Sequence, residues 1–259
     1  MSKVIAIINE KGGVGKTTTC VNLAAALVRC GKKVLIIDAD PQGHASLYLG
    51  MRDGEKVTLS TMMQYIIMEI PFDPHEAIRH HKEGIDLIVA NQLLVGIEAT
   101  LYSLQDKDKI LKTYVDMIAP EYDFVFIDCG PKLNAWTVNI LAAANSVLIP
   151  VQPQPLAADG LMGALRTIIG VQHGINRGLE IEGILFTMDS EKYNNSKKTK
   201  SEVLKAFGVV RVFNTEISRS EALAEAVRNQ CSVFEYKKNS TGAKLYMNLA
   251  KEVLGYDYE

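Results

Sequence analysis

The chain has 259 residues, 47 % of them hydrophobic, enough to bury one sizeable core, and α/β chains of this length are commonly single units. A net charge of −2 excludes a uniformly basic nucleic-acid binder. No apolar run reaches the roughly 18 residues of a membrane span, and no signal-peptide layout precedes the first strand, so a cytosolic protein is expected.

Val4 to Ile8 form a short apolar run rich in β-branched residues, the pattern of a strand buried on both faces of a parallel sheet. From Lys16 onward, Cys20, Val21, Leu23, Ala24, Leu27 and Val28 recur at helical spacing, and Gly31 supplies a stop. Between the two, Gly12, Gly13 and Gly15 let the backbone turn successive N–H groups toward an anion, which also meets the positive end of the helix. Lys16 is placed to reach terminal phosphates, and the Thr17 hydroxyl to ligate Mg²⁺. The whole stretch Lys11, Gly12, Gly13, Val14, Gly15, Lys16, Thr17 and Thr18 therefore reads as a polyphosphate site.

A second buried-strand run, Val34 to Ile37, ends in Asp38-Ala39-Asp40-Pro41-Gln42-Gly43. Carboxylates at the C-terminal end of a parallel strand sit where open α/β sheets bind ligands, although an Asp-Pro turn capping the next helix uses the same residues. His80 and His81 have no carboxylate or Cys spaced to complete a metal site and are expected on the surface. Ile85 to Val89 is a third strand, and a long helical pattern runs from about Leu93 to Ile118. Tyr122 to Ile127 is an apolar strand ending in Asp128, a residue placed to hold Mg²⁺. Strands at 146–151, 181–188 and 209–213 alternate with helices at 157–171, 200–207, 219–229 and 240–254, the pattern of a doubly wound, mostly parallel sheet. Cys20, Cys30, Cys129 and Cys231 lack C-x-x-C spacing and are expected to be buried or half-buried thiols.

Charge is uneven along the chain. Residues 190–251 hold 12 Lys and Arg against 6 Asp and Glu, so the C-terminal third presents a cationic face suited to a polyanion or, alternatively, ordinary solvated helix faces.

The segment Lys11-Gly12-Gly13-Val14-Gly15-Lys16-Thr17, with Glu10 where the usual phosphate loop has its first glycine, resembles the deviant Walker A loop of ParA, MinD and the nitrogenase iron protein. Asp38 to Gly43 looks like the D-x-D-P-Q-G motif of ParA-type partition ATPases, and the resemblance extends from Lys3 to about Leu254. It implies one P-loop ATPase domain over residues 1–259 that binds ATP with Mg²⁺ and hydrolyses it slowly. It also implies an ATP-dependent homodimer in which Lys11 touches phosphates bound by the partner, so that Lys11, Lys16 and Asp40 are catalytic. By position Asp40 orients the attacking water and, with Thr17 and Asp128, organises the metal, while Met188 lies toward adenine. The family coats nucleoid DNA without sequence preference and is released by a ParB-like protein, moving plasmid or chromosomal cargo.

Departures are clear at two places. Gly130 and Asn134 replace a proline and a glycine in the loop after Asp128, so a segment the family keeps stiff is freer here. On the DNA side two usual basic positions are lost, and Arg219, Lys237, Lys238 and Lys244 are the residues able to compensate, unless this surface meets a protein. A MinD-like membrane positioner or a regulatory nucleotide-gated scaffold is the alternative, but the C-terminal Tyr256-Asp257-Tyr258-Glu259 lacks a basic amphipathic anchor, so no membrane partner is expected. The absence of Cys between Cys30 and Cys129 removes the pair that an iron protein needs.

Overall fold

A computed structural model describes residues 2–51, 57–104, 107–154, 157–189, 194–208 and 210–255. The elements are β1 (Lys3–Ile7), α1 (Lys16–Arg29), β2 (Val34–Asp38), α2 (His44–Tyr48), α3 (Leu59–Ile67), β3 (Ile78–His80), β4 (Ile85–Ile88), α4 (Leu94–Leu101) and α5 (Ile110–Ile118). They continue with β5 (Phe124–Asp128), α6 (Ala135–Ala143), β6 (Ser146–Val151), α7 (Ala157–Gly174), β7 (Glu180–Asp189), α8 (Asn194–Ala206), β8 (Ile217–Ser218), α9 (Glu221–Arg228), α10 (Val233–Lys237) and α11 (Thr241–Leu254).

The strands form one sheet in the order β3-β4-β2-β5-β1-β6-β7-β8, parallel throughout except for β3, which runs antiparallel to β4. β1, β2, β5 and β6 read as continuous apolar runs because helices cover both faces of the sheet. Alternate β1 residues feed two cores. Val4, Ala6 and Ile8 pack with apolar side chains of α3 to α7, whereas Ile5 and Ile7 pack with those of α1, α2 and α9 to α11. Three of the four cysteines are buried and Cys30 is half-buried.

Several expectations from the sequence are corrected. The helix expected from Leu93 to Ile118 is two helices. α4 ends in tightened turns, in which Ser103 N–H and its Oγ both donate to the Thr100 carbonyl, at 3.0 and 2.8 Å. The strand expected at 209–213 reduces, among the described residues, to an isolated bridge between Val212 and Ile184, and β8 takes over the ladder at Ile217–Ser218. Gly183, at φ +156°, lets the Phe213 ring lie where a side chain would stand. His81 is buried rather than on the surface, facing Glu83 at 4.0 Å, while His80 is exposed and bonds Asp86 at 2.6 Å. Among the described residues no helix is long and apolar enough to cross a membrane.

Candidate nucleotide site

β1, β5 and β2 lie side by side, and their C-terminal ends meet in register, Ile7 opposite Asp128 and Asp128 opposite Asp38. The glycine-rich loop leaves β1 at this edge. Gly13 and Gly15 adopt left-handed backbone, φ +72° and +86°, which β-substituted residues resist, and Gly15 caps α1 without a side-chain bond. The first N–H groups of α1 are thereby left to an external acceptor. Lys16, buried, donates from Nζ to the carbonyls of Asn9 (3.0 Å) and Lys11 (3.3 Å). Burial lowers its pKa, opposed by the negative charge of Asp128.

Asp128 and Asp40 lie near this lysine, and Asp38 lies against Asp128. Thr17 Oγ1 donates to Asp128 Oδ2 at 2.7 Å, while the buried Asp128 Oδ1 has no hydrogen-bond partner among the described residues. Burial first, and then the neighbouring Asp38 charge, raises the Asp128 pKa well above the usual carboxylate range. Asp38 accepts from Ser46 N (2.8 Å), Ser46 Oγ (2.7 Å) and Asp40 N (3.2 Å), and burial still pushes it up to about 6. Asp40 accepts from Gln42 N at 3.0 Å and lies 3.3 Å from His44 Nδ1. Gly130 lies against it: a Cβ there would stand 3.4 Å from the Asp40 carboxyl, an ordinary contact.

A buried carboxylate oxygen left unpaired among the described residues, with a hydroxyl on the same carboxylate, is the kind of oxygen donor a hard cation takes, so the residues present fit Mg²⁺, which Thr17 and Asp128 could hold with Asp40 in the same cluster.

Gly12, Gly13, Gly15, Lys16, Thr17 and Thr18 line one cleft of about 580 Å³ together with Asp40 and Met188. Val14 is buried and is not on that lining. Lys11 is not on that lining; its Nζ donates to Gln154 Oε1 of its own chain at 3.1 Å. A second, mainly apolar cavity of about 480 Å³ adjoins Gly15 and Thr18, walled by Met188, Ile217 and residues Ser218 to Glu221. Arg219 and Lys237 line a further cleft of about 790 Å³, accompanied by Glu221 and Glu225, whereas Lys238 and Lys244 are exposed but lie off its lining.

Sequence reasoning passed over Asp38, His44, Ser46 and Thr187. Asp38 stood in a motif read for Asp40, and its burial depends on the register with β5 that no local pattern reveals. Asn134, noted only as a departure, caps α6 by accepting from Thr137 N at 3.1 Å and donates to Glu98 of α4. It thus ties down one end of the loop that was expected to be freer.

The AAA domain family matches residues 2–181. The chain is 39 % identical to the sporulation initiation inhibitor protein Soj of Bacillus subtilis, covering 98 % of both proteins. It is 37 % identical to the chromosome partitioning protein ParA of Caulobacter vibrioides, over 97 % of this chain and 94 % of that one. Among solved structures it resembles a cobyrinic acid a,c-diamide synthase from Mycobacterium smegmatis with bound ADP and magnesium, with TM-score 0.84, 32 % identity, and coverage of 98 % and 94 %. A glycine-rich loop and two strand-ending carboxylates on a parallel sheet, matched nearly end to end by these relatives, place the chain in the ParA/Soj family of chromosome-partitioning ATPases.

Proposed function

We propose that this ATPase is a dimeric switch for plasmid or chromosome partition. With ATP bound it holds nucleoid DNA without sequence preference, and it lets go when a ParB-like partner stimulates slow hydrolysis in the cytoplasm. One observation carries this reading. Residues Ser218 to Glu221 form a wall of the cavity beside Gly15 and also of the cleft that holds Lys237, so the nucleotide side and the candidate DNA side share one segment. Phosphate contacts need positive charge on a face and not a fixed residue, which lets Arg219, Lys237, Lys238 and Lys244 serve.

Within the nucleotide site, the Gly12 to Thr18 backbone cradles the polyphosphate and Lys16 neutralises its terminal charge. Asp40 is held at both carboxylate oxygens by Gln42 and His44, an orientation suited to aligning the attacking water. Mg²⁺, when bound to Thr17 and Asp128, supplies charge neutralisation at the phosphate oxygens. Lys11, exchanging Gln154 for a phosphate of a second copy, completes the site in the dimer.

The test is ATP-dependent retention on a DNA surface, measured across salt for wild type and Arg219→Ala/Lys237→Ala. The expected result is retention only with ATP, a steep loss with salt, and a shallower salt slope in the variant. Retention indifferent to ATP and salt would overturn the reading. Glu221 and Glu225 in the same cleft favour a second reading, a nucleotide-gated scaffold gripping a protein; it predicts no DNA retention at any salt concentration.

A further inference from the structure

The last residues of β7 touch the phosphate loop from behind. Thr187, almost fully buried, donates from Oγ1 to the Val14 carbonyl at 2.7 Å, joining residues 173 positions apart. Its neighbour Met188 reaches the same spot: a Cβ on Gly15 would stand 3.7 Å from Met188 Cε and 3.9 Å from Thr187 Cβ. Consecutive side chains of a regular strand point to opposite faces, so both can meet Gly15 only where the strand is irregular. It is irregular here. Met188 has φ +51°, and the pairing with β8 shifts register between Thr187 and Asp189. Bulges of this kind re-aim side chains beside active sites.

A trans peptide points its C=O and the following N–H in opposite directions. Fixing the Val14 oxygen on Thr187 therefore fixes the Gly15 N–H on the side away from β7, and the Val14 side chain itself is buried. Without that anchor, glycine on one side of the peptide leaves it free to rotate.

We propose that Thr187 is a positioning residue for polyphosphate binding, acting through its hydrogen bond to the Val14 carbonyl to hold the Val14–Gly15 peptide in its anion-binding orientation. The inference rests on the reading of residues 12–18 as the phosphate cradle. The isosteric Thr187→Val keeps shape and removes the donor, and Thr187→Ser keeps the donor and trims the shape. Fluorescent-ATP titration with Mg²⁺ and competition by inorganic tripolyphosphate are measured on the full chain for both variants, wild type and Lys16→Ala. Thr187→Val is expected to weaken ATP and tripolyphosphate alike by about tenfold, about 1.4 kcal/mol, with Thr187→Ser restoring both to within about twofold. Equal weakening by Val and Ser, or unchanged tripolyphosphate binding in Thr187→Val, would overturn the inference. If Thr187→Val does not fold, Thr187→Ala against Thr187→Ser makes the same comparison with the same outcomes. Wild-type affinity in Lys16→Ala would instead bring down the phosphate-cradle reading, a result distinct from failure at Thr187 alone.

Discussion

Asp128→Asn should separate stability from activity. Asp128 is fully buried, one of its oxygens has no partner among the described residues, and Asp38 faces it across the β2–β5 register. Asp38 rises from 3.8 to about 6, and at about 1.4 kcal/mol per unit that displacement costs the folded state about 3 kcal/mol at neutral pH. The sign follows from proton binding. The folded chain holds the Asp38 proton more tightly than the unfolded chain, so stability present at acidic pH is lost as pH rises between about 4 and 6. Asp128, displaced in the same direction, adds a cost of like sign. Asparagine leaves the Asp38 burial cost in place but removes the Asp128 charge, with its own burial cost and its repulsion by Asp38, and still accepts from Thr17, while its amide nitrogen takes the place of the oxygen unpaired among the described residues at a cost of about 1 kcal/mol. Relief of the Asp128 burial and repulsion is expected to outweigh that cost, and each net 1 kcal/mol corresponds to a rise of roughly 2–4 °C in Tm for a chain of this size. Thermal melts in EDTA without nucleotide measure it, and phosphate release with ATP and Mg²⁺ should fall by at least about 100-fold. An unchanged or lower Tm would refute the electrostatic reasoning, and near wild-type turnover would refute the role of Asp128.

Three further outcomes are expected. Asn22→Ala removes a buried side chain that donates to the Thr18 carbonyl (2.8 Å) and to Tyr48 Oη (2.9 Å) and accepts from Val233 N (2.8 Å), so urea unfolding should show a loss of about 3 kcal/mol. Bonds to Glu121 first and Asp73 second raise the His75 pKa, so an NMR titration should place its midpoint above 6.5, and Glu121→Gln should lower it. Trp136, the single tryptophan, donates from Nε1 to the carbonyl of Ala39 at 2.9 Å, between Asp38 and Asp40, so its fluorescence should change when ATP binds and stay constant if the Asp40 loop does not move.

Local chemistry made part of this protein readable in one dimension. The apolar runs that became β1, β2 and β5, the glycines that accept left-handed backbone, and the carboxylates at strand ends all act through nearest neighbours, and Lys16, Thr17, Asp40 and Asp128 were marked by them. Weakly patterned elements escaped: β3 has only three residues, α10 has five, and the ladder beyond β7 is broken by the turn of Phe213 over Gly183. Tertiary structure alone decided which distant groups would meet. Strand order set Asp38 against Asp128, the irregular end of β7 brought Thr187 to Val14, and the packing of α9, α10 and α11 put Arg219 and Lys237 on one cleft. Pairings of that kind depend on sheet register and on packing between segments as far as 173 residues apart, which spacing along the chain does not encode.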